Sequence, residues 1–173
     1  MSKKEKTITR SFRVSESAFK ALEEDAARRN VSLNTLVNQL FLAYANWGRY
    51  YDRIGSIQVA RSTFVRLLDA ASDKVVIEVG RRSGLDVPRA VIAAKRGVLS
   101  LDTVLDYLRS ATSYGGYAEY SEVETQGKTV ITIMHNLGRK GSLFLKSFLE
   151  SLFGAIDHKP KIGLTDHSVL VEV

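Results

Sequence analysis

Two stretches of this 173-residue chain group side chains in a way that could do chemistry. In Thr7 to Val14, TITRSFRV, strand parity puts Ile8, Phe12 and Val14 on one side and Thr7, Thr9, Ser11 and Arg13 on the other. Arg10 intrudes on the apolar side. In His135-Asn136-Leu137-Gly138-Arg139-Lys140-Gly141-Ser142, two basic residues and two glycines fall between an expected strand and an expected helix. His135, Arg139, Lys140 and Ser142 are therefore a candidate anion or effector site, because free N–H groups and the helix dipole favour negative charge at a helix start. No lysine is followed by serine or threonine at the glycine spacing of a Walker A loop. The plainer reading is a polar turn with Ser142 as helix cap.

Other constellations are weaker. His135, His158 and His167 are scattered, and with no cysteine in the chain thiolate metal sites, disulfides and a cysteine nucleophile are excluded together. No metal or other cofactor is expected. Glu119, Glu122 and Glu124 are spaced as solvent-facing strand residues, and no nucleophile, base and orienting group form a recognisable set, so the chain does not read as an enzyme. Trp47, Tyr50 and Tyr51 read as packing rather than as a base-stacking platform.

Composition suits a folded protein: 45% hydrophobic and 25% charged residues with two prolines exclude disorder and collagen. The net charge of +6 is uneven, with residues 1–50 at +4, 51–112 at +3 and 113–173 at −1. A basic front and a near-neutral back suggest a polyanionic partner for the front. The basic amino terminus has no apolar stretch behind it to act as a signal-peptide core, and the lack of cysteine fits a reducing interior, so a cytoplasmic location is expected. Val31 to Gly48 is uncharged but carries Asn34, Asn38, Gln39 and Asn46, and reads as a buried helix rather than a membrane span.

These groups need elements to hold them. Phe64, Leu67, Leu68 and Ala71, and Leu101, Val104, Leu105 and Leu108, recur at helical spacing, and Ser100 suits the cap of the second helix. Asp86, Pro88 and Gly97 bracket another helix between them by start and stop chemistry. Lys74 to Gly80 is β-branched but lacks a neighbouring strand, which favours helix. Beyond a linker candidate at 113–116, strands at Glu119–Glu124 and Lys128–His135, a helix at Ser142–Phe153, and strands at Ile162–Thr165 and Ser168–Val173 predict a β-β-α-β-β antiparallel sheet with one helix.

Before all of these comes a strand-helix-helix pattern. Ser15 can cap a helix with Ala18, Leu22 and Ala26 on one stripe, and Ser32 can cap a second carrying Leu33, Leu36, Val37, Leu40, Phe41 and Tyr44. One strand and two helices cannot close a core, so a second copy is the simplest remedy. The run RSFRVSESAFKALEEDAARRNVSLNTLVNQLFLAYAN resembles the ribbon-helix-helix DNA-binding module of the Arc, MetJ and CopG repressors, over about residues 7–47.

The resemblance implies an intertwined homodimer whose paired amino-terminal strands enter the major groove of double-stranded DNA. Carried over by position, Thr9, Ser11 and Arg13 would contact bases. Ser32, Leu33 and Asn34 would clamp phosphate at a helix start, with Arg10, Lys3, Lys4 and Lys6 adding phosphate contacts. The nickel-responsive members of that group use a cysteine and closely spaced histidines that this chain lacks. The expected fold class is α+β: a ribbon-helix-helix domain at 1–48, a helical middle region at 49–112, and an α/β region at 113–173 for oligomerisation or for sensing a small-molecule effector. The expected function is a sequence-specific DNA-binding transcriptional regulator or repressor. The alternatives are an antitoxin-type autorepressor and a partition or DNA-coating protein. A membrane partner is not expected.

Overall fold

The computed structural model describes residues 7–51, 54–95, 97–125 and 127–173, and the chain divides into two compact units, Met1–Leu42 and Ala43–Val173. In the first unit, α1 (Glu16–Arg28) and α2 (Leu33–Ala43) form as the caps require. Ser15 Oγ accepts from the Ala18 N–H at 3.3 Å, and Ser32 Oγ accepts from the Thr35 N–H at 3.0 Å. Between them Asn30 takes a left-handed φ of 52°, and the Val31 N–H returns to the Ala26 carbonyl at 3.0 Å.

The expected β-ribbon is not there. Thr7 to Ser15 belongs to no helix or strand, the strands of the chain lie in its C-terminal part, and its N-terminal unit is helical. Alternating parity prepares a segment for a sheet, but a strand exists only by pairing its backbone. Among the described residues no backbone hydrogen bond joins Thr7–Val14 to another segment. The helix expected to be buried over Val31–Gly48 is also corrected: it is helical, but Leu40, Phe41, Leu42 and Tyr44 are exposed.

The second unit opens with a π-helical turn, Tyr44–Gly48, and a single turn, α3 (Arg49–Tyr51). Next come α4 (Arg61–Ala70), α5 (Asp73–Ala94) and α6 (Leu101–Gly115). α5 begins at the Ser72 cap, not at Asp86, and runs straight through Pro88. Its buried row Val76, Gly80, Gly84, Pro88 and Ile92 repeats every four residues along α7 (Gly138–Gly154), and that continuous ridge outweighs the one helical hydrogen bond the proline forfeits. The Ser113–Gly116 segment is a helix exit rather than a linker between units: α6 ends at Gly115, and Gly116 caps it at φ 67°.

Strands β1 (Ala118–Thr125), β2 (Lys128–His135), β3 (Lys161–Leu164) and β4 (Ser168–Glu172) form one antiparallel sheet in the order β1-β2-β4-β3. α7 starts at Gly138, four residues before the expected serine cap. Ile131, Ile133, Val169 and Val171 are sealed on the inner face, against Leu149, Leu152 and Phe153 of α7 and Val104 and Leu108 of α6. Trp47 and Tyr50 enter the same core, with the Trp47 ring 4.6 Å from that of Tyr51 and 5.9 Å from that of Tyr107. Among the described residues no helix is long and apolar enough to cross a membrane.

Candidate nucleic-acid interface and neighbouring polar sites

Thr9, Arg10, Ser11 and Arg13 are all exposed, and among the described residues neither arginine has a carboxylate partner. Two unpaired guanidinium groups thus sit within four positions, flanked by hydroxyls. Phe12 rests edge-on against Phe41 of α2, ring centroids 5.9 Å apart, which ties this arm to the second helix. Lys3, Lys4 and Lys6 lie outside the described residues.

At the start of α2 the hydroxyl of Ser32 is spent on its own helix, bonding the Thr35 N–H and, at 2.7 Å, the Thr35 hydroxyl. The Leu36 N–H bonds the Ser32 carbonyl at 3.0 Å. The N–H groups of Leu33 and Asn34 are therefore the ones left for an anion, as at any helix start whose cap takes the third donor. α1 offers less. Arg28 and Arg29 both bind Asp25, the latter at 2.9 Å, and the Arg28 hydrogen bond holds the Asp25 carboxyl below its usual range.

The residues around the start of α7 already have partners within the fold: His135 and Ser142 bond each other, and Lys140 and Arg139 reach α4 and the start of α5. His135 is buried; its Nδ1 accepts from the Leu137 N–H at 3.2 Å, so its proton sits on Nε2, which donates to the Ser142 hydroxyl at 3.0 Å. The Lys140 ammonium holds the carbonyls of Asp69 (2.9 Å) and Ala71 (2.5 Å) at the end of α4, and Arg139 lies 3.5 Å from Asp73. The arrangement locks the β2–α7 turn and joins it to α4.

Burial, with a smaller contribution from His167, pushes the His135 pKa down. An imidazole with a folded pKa below its unfolded value near about 6.5 stabilises the fold fully above that value, and the contribution is lost as pH falls from there through the folded pKa. The urea midpoint is expected to drop between pH 7.5 and pH 5, and His135→Gln should flatten that drop. An identical slope in the variant would assign the pH dependence to other groups.

A further cleft, of about 730 Å³, opens beside the π-helical turn. Arg49 lies over the Tyr50 ring at 4.7 Å and Lys95 at 5.8 Å, while Lys95 donates to Asp106 at 3.0 Å and to Ser110 at 3.1 Å. Asn46 donates to the Tyr114 hydroxyl at 3.3 Å, and Arg109 grips Glu122 of β1 through two bonds of 2.9 Å. No motif announces this site, because Arg49, Lys95 and Asp106 come from separate elements and meet only through the fold.

No protein-family model matches the chain, and no curated protein matches it significantly in sequence.

Proposed function

We propose that this protein is a cytoplasmic, duplex-DNA-binding transcriptional regulator that works as a homodimer and meets DNA with its N-terminal unit. The observation that carries the reading is the combination, in one short unit, of an exposed basic arm and an unfinished core. Among the described residues Arg10 and Arg13 have no carboxylate partner, and the α2 start offers the Leu33 and Asn34 N–H groups, as phosphate and base-edge contacts require. In the same unit Ala26 and Leu36 are the buried hydrophobic residues among those described, whereas Ile8, Phe12, Val14, Phe19, Leu40, Phe41 and Leu42 are exposed. So much apolar surface on so small a unit is the mark of an interface, and a second copy covers it with the same patch.

The second unit has its own core of sheet and helices, which is unlike a toxin-neutralising tail that orders only on binding. The test is selection from a random duplex library with the full chain at near-physiological salt. Enrichment of one motif, palindromic as a two-fold dimer requires, supports the reading. Binding without enrichment, fading as salt rises, would replace it with non-specific coating of DNA.

A further inference from the structure

We propose that the cleft beside Tyr50 binds a small organic anion, held through its carboxylate or phosphate group by Arg49 and Lys95. This inference stands apart from the DNA-binding reading, since every residue it uses lies in the second unit. The two cations converge on a single buried phenol ring, 4.7 and 5.8 Å from its centre. Both side chains line the cleft, and among the described residues Asp106 is the only carboxylate that pairs with either. An anion in the cleft supplies the counter-charge that Arg49 lacks among the described residues.

Both cations also have donors to spare. An ammonium carries three N–H groups, and Lys95 places two, on Asp106 and Ser110; a guanidinium carries five, and Arg49 places one on the Tyr50 hydroxyl. The Lys95 side chain is 19% exposed, so its charge acts in a partly desolvated setting where a hydrogen-bonded anion counts for more than on open surface.

The rest of the lining narrows the ligand. Asn46, Thr103 and Ser113 add amide and hydroxyl groups suited to a hydroxylated body. Asp102 and Asp106 line the same cleft and oppose a polyanion. The volume admits a molecule of roughly sugar-phosphate or sugar-acid size rather than a strand of nucleic acid. The ligand class is therefore a small hydroxylated compound with one anionic group.

The experiment is isothermal titration of the full chain with glucose 6-phosphate, gluconate and inorganic phosphate in turn, repeated on Arg49→Gln and, as a control outside the cleft, on Arg82→Gln, whose guanidinium pairs with Glu78 on the exposed face of α5. Saturable binding of glucose 6-phosphate or gluconate is expected, with affinity reduced at least about tenfold in Arg49→Gln and unchanged in Arg82→Gln. Whether the phosphate or the acid binds more tightly identifies the anionic group. Arg49 is exposed, so its variant should melt with the parent, and matched melting curves separate lost binding from lost fold. The proposal is overturned by no saturable binding of either compound up to about 10 mM, by equal affinity for inorganic phosphate alone, or by binding that Arg49→Gln leaves intact.

Discussion

Replacing Gly84 by alanine is expected to cost the second unit about 3 kcal/mol and to lower its melting temperature by about 6–12 °C. A Cβ built at Gly84 would stand 2.2 Å from the Phe148 carbonyl oxygen and 2.9 Å from both its carbonyl carbon and its Cα. Those are backbone atoms of α7, so no rotamer change makes room and the two helices must move apart. Gly80, one turn earlier, is held as closely by the Phe144 carbonyl oxygen at 2.5 Å, so separation at one position disturbs the other. In a solvated helix the same change would stabilise, because alanine is the better helix former. Gly154 is the control: nothing lies within 4 Å of its added Cβ, and Gly154→Ala should melt at or slightly above the parent temperature. Were Gly84→Ala to melt within about 1 °C of the parent, the close approach of α5 to α7 would be refuted.

Arg13→Ala is expected to relax base preference at one operator position, at a cost of about 1–3 kcal/mol on the selected duplex and far less on unrelated ones. Arg13 is exposed and, among the described residues, unpaired, so its guanidinium is free to contact a guanine edge with two donors. Arg10, equally exposed, is proposed as a phosphate contact. Arg10→Ala should weaken all duplexes alike and reduce the salt dependence by about one phosphate contact, which separates positioning from reading. Competition titrations of each variant against the selected and a scrambled duplex decide between them. Equal losses on both duplexes for Arg13→Ala would remove it from base recognition.

Neither substitution could have been ranked from composition, and the two depend on the sequence differently. The role proposed for Arg13 rests on its place in the run TITRSFRV and on its exposure beside Thr9 and Ser11, not on strand parity. The consequence of Gly84 rests on what lies across from it. In a list of residues Gly84 looks like a helix weakener, and Asp86 with Pro88 suggested a helix start where the chain runs unbroken.

The helix caps at Ser15, Ser32 and Ser100, the two closing hairpins and the helix between them were all legible, because caps, tight turns and hydrophobic periodicity act over a few residues and leave their mark in order along the chain. Alternation in Thr7–Val14 was equally legible, but it misled. Parity describes which way side chains would point, while a strand needs a partner that the segment itself does not contain.

The tertiary structure decided three things the order of residues could not. It set the order of strands, with β4 inserted between β2 and β3, because pairing follows burial of Val169 and Val171 against Ile131 and Ile133 rather than chain sequence. It turned His135 and Ser142 toward each other and gave Lys140 to the end of α4, since a group removed from water must find its hydrogen bonds wherever packing puts them. And it gathered Arg49 and Lys95 over one tyrosine. Periodicity and capping are local and one-dimensional; the meeting of distant charges is a property of the packed chain alone.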